Sequence, residues 1–450
     1  MKKKDQWLKR GKKPKDISFI FDDYEGMMTL NVHHNGKFIS NPKKQYVDEK
    51  VDYFDFLDLE GFGMSDMTEI MREVPKTALD DGLRPFNPNS ETRQFKRIYV
   101  CLGPLKEGFK ACKRELLGFD GAFMKGPYPG QVLTAVGVDP NNGIYPLAYV
   151  VVEAETFDSW RWFLVCLGED LDLYPNSNFT FMSDRQKGLV PAIAKVFPMD
   201  EHRFCLRHIY ENMSKLFRGE LIRQMLWKCA TRTTEQEFEA AMEELRVEND
   251  GAYNYLKKCN TGRAHCDILL NNLCGTFNSQ LVEGREKPII NCLEYIREYL
   301  MIRIVTVQKV IETQKGPLTP TAALLFESIM NDANHCTAIW NGSHKFQVRD
   351  SFRDQCVVDI NERTCSCRKW QLTGMPCKHA ICGLWNAKDN SVQVGIVEDW
   401  VDPCYRLDTW KEVYAFKVEP VTGSSSWPKS TCATRLLPPV HKTQVGRPKK

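Results

Sequence analysis

Between residues 115 and 155 three apolar, β-branched runs follow one another with no helical period between them: ELLGFDGAFMKG (115–126), GQVLTAVGVD (130–139) and IYPLAYVVVEAE (144–155). Each is bounded by Gly, Pro or Asn. β-Branched side chains fit a pleated surface, so the pattern predicts three consecutive strands, mostly buried. So much buried strand requires helices to cover it, and they come next. TFDSWRWFLVCLGEDL puts Trp160, Phe163, Leu164, Leu167 and Leu171 on one helical face, with Thr156 or Asp158 at its N-cap. NFTFMSD (178–184) reads as a fourth strand ending in an acid, GLVPAIAKVF as a helix, and HRFCLRHIY as a fifth strand running into another helix.

Three strands, a helix, a strand, a helix and a strand: that order resembles a ribonuclease-H-like α/β domain. Residues 211–260 then repeat apolar positions at three-to-four spacing, which predicts a helical insertion. IINCLEYIREYLMIRIVTVQKV (289–310) aligns Ile289, Leu293, Ile296, Leu300 and Ile304 on one helical face. The whole unit is expected over residues 95–310. Upstream, residues 17–75 predict a small α+β domain. ISFIFD, MTLNVHH and GKFIS are short strands parted by DYEG and HNG turns, and a further strand leads to a helix capped by Ser65 or Asp66. Residues 76–94 are rich in Pro, Asn and Asp and read as a linker. KFQVR and QCVVDI begin a third, smaller unit over 335–390, and 420–450 reads as a disordered tail.

The chain has 450 residues, with 61 Lys+Arg against 58 Asp+Glu, so its formal net charge is only +3. The distribution is uneven. Residues 1–16 form a basic tail, with eight basic side chains and one acid among the first fifteen, and the last six are VGRPKK. Basic ends on a neutral body fit nuclear targeting or phosphate contact, and equally a solvated tail. The charged start lacks the apolar stretch of a secretory leader, and no run of about 18 apolar residues suggests a membrane span. The 17 cysteines are therefore expected in a reducing compartment, free or metal-bound.

The strongest chemical signal is CSCRKWQLTGMPCKHA, in which Cys365-x-Cys367 precedes Cys377-x-His379. Three thiolates and an imidazole make a closed tetrahedral shell for Zn²⁺, with no open position for catalysis. Each pair comes from one tight segment, so closing the shell costs little extra loop entropy. Gly374 and Pro376 shape the turn between the pairs, and Cys382 is read as the buried face of the following helix. The arrangement resembles the SWIM zinc finger.

Asp120 ends one buried strand and Asp184 another. In the ribonuclease-H-like layout these strands are neighbours, and two such acids plus a third on a later helix hold two Mg²⁺ ions about 4 Å apart. A strand-end aspartate on its own is more often a turn residue. The stretches FDGAFMKG…VVVEAETFDSWRWFL, FTFMSDRQKGL, HRFCLRHIYENM and NNLCGTFNSQLVEGREKPIINCLEYIREYLMIR resemble, together, the Mutator-like element transposase domain of plants, and MTLNVHHNGKFI…KQYVDEKVDYFDFLD resembles the Phox-and-Bem-one-like domain that often heads such chains. The resemblance implies a DDE-type catalytic triad whose first two members are Asp120 and Asp184. Its third member, a glutamate in NN-x-x-E-x-FN, falls on Gly275. Glycine has no side chain to bind metal and weakens a helix by about 1 kcal/mol relative to alanine. Glu283, Glu294 and Asp267 are expected to lie out of reach.

The Cys205-x-x-His208 motif also matches the family's, with a metal, strand-contact or purely structural role open. The separate zinc-bearing DNA-binding domain usual in the family has no room in the linker. Val445–Lys449 resembles half an AT-hook, which implies minor-groove contact by Arg447 with Lys449 and Lys450. The expectation is a nuclear, zinc-binding, DNA-binding protein with a degenerate triad, acting as a transcription regulator and able to take a protein partner through its N-terminal domain. An active or formerly active transposase, with Mg²⁺ in its pocket, is the alternative.

Overall fold

The computed structural model describes residues 95–423, apart from 127–129, 174–176, 178, 185, 260–271 and 351–354, together with the backbone course of short strands nearer the two ends. The architecture is mixed α/β. Its centre is a six-stranded sheet of β1 (Ile98–Cys101), β2 (Leu116–Phe123), β3 (Gln131–Val138), β4 (Ile144–Val152), β5 (Thr180–Ser183) and β6 (Glu201–Phe204), in the order β6–β5–β2–β3–β4–β1. β2, β3 and β4 form an antiparallel meander, as the three apolar runs predict. β5 lies parallel to β2, with Thr180 beside Leu116 and Met182 beside Gly118, and β6 parallel to β5. The C-terminal ends of β2, β4 and β5 therefore share one edge of the sheet, and this places the pocket described below.

β1 is an addition to the expected five strands. It pairs antiparallel with β4, Ile98 opposite Val151. Four residues are too few to show a period, so nothing in IYVC distinguished it. It leads into α1 (Gly103–Cys112), which the sequence also left unmarked.

α2 (Phe157–Asp170) covers one face of the sheet with α3 (Leu189–Val196) beside it. Thr156 is its N-cap, the hydroxyl oxygen accepting from the Ser159 N–H at 3.2 Å. Trp160 and Phe163 are fully buried, and the Phe119 ring from β2 meets them and Phe181 at centroid distances of 6.1, 6.2 and 5.6 Å. Burying a phenylalanine this completely contributes about 2–3 kcal/mol. Chain after β6 enters an insertion of α4 (Leu206–Met213), α5 (Glu220–Ala230), α6 (Glu235–Glu248) and α7 (Asp250–Lys257), with its own core around Met213, Leu226, Leu245 and Leu256. α8 (Asn272–Gln280) returns to the sheet, where Cys274 and Phe277 join the main core, and α9 (Ile289–Glu312) follows with Ile296, Leu300 and Ile304 inward.

α10 (Pro320–Ala333) leads to a second sheet of β7 (Thr337–Trp340), β8 (Lys345–Arg349), β9 (Gln355–Asp359) and β10 (Thr364–Cys365), antiparallel throughout, with α11 (Lys369–Thr373) and α12 (Lys378–Asp389). The chain then comes back to the first unit. α13 (Leu407–Val413) packs on α1, and Tyr414 donates its hydroxyl to the buried Asp139 at 2.9 Å.

Near the N-terminus the strand Lys50–Asp58 pairs antiparallel with Met27–His34 and with Leu8–Arg10, and Lys37–Ile39 pairs with Gln45–Val47. Leu8–Arg10 thus lies inside the stretch read as a basic tail. Thr92–Gln94, inside the linker stretch, pairs parallel with Arg435–Leu437, inside the tail stretch. The expected ISFIFD strand and the helix after Ser65 lie outside the described residues, as do Arg447, Lys449, Lys450 and Asp267. Among the described residues no helix is long and apolar enough to cross a membrane.

Candidate metal centre and acid pocket

The ligand atoms of Cys365, Cys367, Cys377 and His379 all lie within 4.8 Å of one another. Local folding explains the convergence. β10 ends on Cys365, and Arg368 turns the chain through a left-handed conformation, φ 61°, into α11. Gly374 closes α11 with φ 72°, and a Cβ there would lie 2.7 Å from the Asp402 Cβ, so only glycine fits. Cys377 then caps α12 and His379 sits in its first turn. The His379 Nδ1 lies 3.7 Å from the Cys365 sulfur and 3.9 Å from that of Cys377. A tetrahedral ion with Zn–S of about 2.3 Å and Zn–N of about 2.0 Å needs S···N edges of about 3.5 Å, so the residues fit Zn²⁺. The neighbouring Cys365 thiol pulls Cys377 down towards thiolate, and the Ala380 N–H at the start of α12 assists. Zinc here would bind four protein ligands and act as a structural tie.

A fourth thiol borders this cluster. Cys356 on β9 reaches Cys365, Cys367 and His379, and contact with it is the first cause pulling Cys367 down to about 6. Its isolation in sequence hid it. Cys382 is buried in α12, as expected.

The second site lies at the sheet edge where β2, β4 and β5 end. Asp120 does not end its strand as expected, because β2 stays paired with β3 as far as Phe123; Asp184 follows directly on β5, and its charge acts on Asp120. One Asp120 oxygen accepts from the Gly121 N–H at 2.9 Å, and the other from the Asn278 side-chain amide, also at 2.9 Å. Burial raises the Asp120 pKa above the ordinary carboxylate value, these two hydrogen bonds oppose the rise, and the charge of Asp184 adds to it. Asp184 accepts from the Gln186 N–H at 3.0 Å. His208 in α4 has a raised pKa, first through the Cys205 thiol and further through Asp184, so the Cys205–His208 pair borders the pocket.

Gly275, in the first half of α8, is exposed, and among the described residues a Cβ built on it meets nothing within 4 Å. A two-ion site therefore lacks the carboxylate that the resemblance places there. α8 ends at Gln280, so Glu283 lies in the turn beyond it, and Glu294 is paired with Arg297. The acid that does approach is Glu155, at the end of the third apolar run. Strand pairing brings it there: β4 runs in the same direction as β2 and β5, so its C-terminal residues reach the same edge.

Comparison with known families agrees with this division. Residues 116–212 match the MULE transposase domain and residues 347–381 the SWIM zinc finger. The chain carries both domains. The MULE match encloses Asp120, Glu155, Asp184, Cys205 and His208 and stops short of Gly275, and the SWIM match encloses all four zinc ligands and Cys356. The chain is also similar to Protein FAR1-RELATED SEQUENCE 6 of Arabidopsis thaliana, 29% identical over 132 residues that make up 28% of this chain and 18% of that relative. The match thus spans less than a fifth of the relative's length.

Proposed function

We propose that this protein is a transposase-derived, zinc-containing nuclear protein that holds DNA without cutting it, and that it acts as a regulator of transcription. The strand order β6–β5–β2–β3–β4, with Asp120 within β2 and Asp184 directly after β5, supports a ribonuclease-H-like reading of the core. The observation that carries the non-cutting part is Gly275. Where the family's third carboxylate belongs, there is a hydrogen atom, with none of the described residues against it. A two-metal mechanism needs ligands for both ions, and losing one of three acids removes most strand cleavage. The complete SWIM ligand set supports binding as the retained activity, with the basic first sixteen residues and Arg447, Lys449 and Lys450 as phosphate contacts. The domain at 17–75, read as Phox-and-Bem-one-like, would take a protein partner.

The convergence of Asp120 and Asp184 favours a second reading, Mg²⁺-dependent DNA cleavage and strand transfer. One pair of measurements separates the two. On random duplex DNA, fluorescence anisotropy should show an affinity that falls steeply as salt rises. A flat salt response, or no binding, rejects the first reading. Nicking of supercoiled DNA by the unaltered protein in Mg²⁺ would select the second.

A further inference from the structure

The zinc centre has one donor too many. Cys365, Cys367, Cys377 and His379 fill a tetrahedral shell, and a structural zinc ion takes four ligands. Cys356 is left over, yet it is not remote. Exposure alternates along β9, with Cys356 and Val358 inward and Gln355 and Val357 outward. Cys356 belongs to the same buried cluster as Cys365 and Cys377. Its thiol interacts with those of Cys365 and Cys367 and with the His379 ring.

Strand pairing fixes which ligand it faces. Val358 lies opposite Cys365, and the ladder runs one bond beyond β10, where the Ser366 N–H donates to the Val357 carbonyl at 2.9 Å. Continued in this register, Cys356 comes opposite Cys367. Opposed residues of an antiparallel pair have Cα atoms about 4.5–5.5 Å apart, a separation that a disulfide spans. Both thiols are free, and they differ in exposure: Cys356 is buried and Cys367 half-buried.

His379 is an independent sign that this shell opens readily. Its Nδ1 faces the Cys365 and Cys377 sulfurs, while its Nε2 is buried with no hydrogen-bond partner among the described residues. A metal-bound histidine ordinarily anchors its second nitrogen on a carboxylate, a carbonyl or water. Lacking that anchor, the ring depends on the remaining ligands to hold it in place, so the loss of one sulfur weakens the whole shell.

We propose that Cys356 and Cys367 form a redox pair, which an oxidant of the peroxide class converts to a disulfide, taking Cys367 out of the shell and releasing zinc. The Cys367 thiolate, the more exposed sulfur, attacks the peroxide. The O–O bond breaks, giving a sulfenic acid and a hydroxide that takes a proton from solvent. The Cys356 sulfur then attacks the sulfenic sulfur. The S–S bond forms, and the hydroxyl leaves as water with the proton of the Cys356 thiol. Two electrons have passed from the pair of sulfurs to the peroxide, and a thiol reductant returns them. Cys365, Cys377 and His379 remain, one ligand short of a structural shell. Disulfides in reducing compartments are mostly transient sensors of this kind. The effect extends beyond the finger, because the Cys367 carbonyl is where the Thr233 hydroxyl of the helical insertion is bonded. None of this rests on the function proposed above.

The test treats full-length, zinc-loaded protein with excess hydrogen peroxide and follows zinc release with a chromogenic chelator. Disulfides are then mapped by mass spectrometry of unreduced peptides. The wild type should release its zinc as a Cys356–Cys367 bridge appears, and thiol reductant with added zinc should restore the bound metal. Cys356→Ser should hold its zinc before oxidation and release it roughly tenfold more slowly under peroxide. Cys336→Ser, which removes another half-buried thiol of this unit, should match the wild type. Equal release by the wild type and Cys356→Ser, or a map without a bridge to Cys356, overturns the proposal. If Cys356→Ser does not fold, the disulfide map of the wild type decides alone.

Discussion

His202 shows how one buried side chain sets a pH limit. Its Nε2 lies 2.7 Å from the Ser183 hydroxyl between β5 and β6, and burial depresses its pKa from the usual 6.5 to about 4. The folded state therefore prefers the neutral ring. The contribution is complete above pH 6.5 and is lost as pH falls towards 4, amounting to about 3 kcal/mol across that window. Urea unfolding at pH 7 and pH 4 should show the stability of the protein, measured against its His202→Asn variant, fall by about that amount. At the zinc centre the prediction is a contrast. Cys377→Ser should lose stoichiometric zinc, measured by metal analysis of the purified protein, whereas Cys356→Ser should keep it, since four ligands remain. These residues also mark what could be read from the chain. Cys365, Cys367, Cys377 and His379 were legible because close spacing itself encodes a chelate. Cys356 and Glu155 were not, because each reaches its site by strand pairing, which residue spacing does not reveal.

At the scale of elements, long runs were legible and short ones were not. β2, β3, β4 and α2 each carry eight or more residues of pattern, while β1 has four and shows its place only through pairing with β4. α8 carries a sequence liability that is also a prediction. Gly275 is exposed and none of the described residues crowds its missing Cβ, so Gly275→Ala should stabilise the protein by up to about 1 kcal/mol in thermal unfolding. The β3–β4 hairpin is pinned differently. Asp139, itself buried, accepts from the N–H groups of Asn141 and Gly143 and from the buried Tyr414 hydroxyl. Tyr414→Phe should cost about 1–3 kcal/mol in urea unfolding, because a buried carboxylate then loses one donor.

At the scale of the whole molecule, the SWIM finger and the sheet domain are in contact at several points. The Thr233 hydroxyl of the helical insertion donates to the Cys367 carbonyl at 2.6 Å. The Tyr405 hydroxyl donates to the Thr373 carbonyl at 2.8 Å while accepting from the Arg114 guanidinium at 3.1 Å, and Arg114 lies over the Tyr405 ring at 4.8 Å. Leu318, Phe326, Met375, Ile381 and Tyr405 bury a shared apolar seam between α10, the zinc loop and α12. Removing zinc with a chelator should therefore lower the melting temperature of the entire 95–418 region in one calorimetric transition, not melt a separate finger first. Two distinct transitions would contradict this. The docking has a further consequence. A finger riveted to its neighbour at both the cysteine loop and the turn behind it cannot swing on a tether to find its own stretch of duplex. On the function proposed above, any spacing between two footprints on DNA would be built into the stiffness of the protein, so lengthening the DNA between them by half a helical turn should be felt as a penalty rather than absorbed.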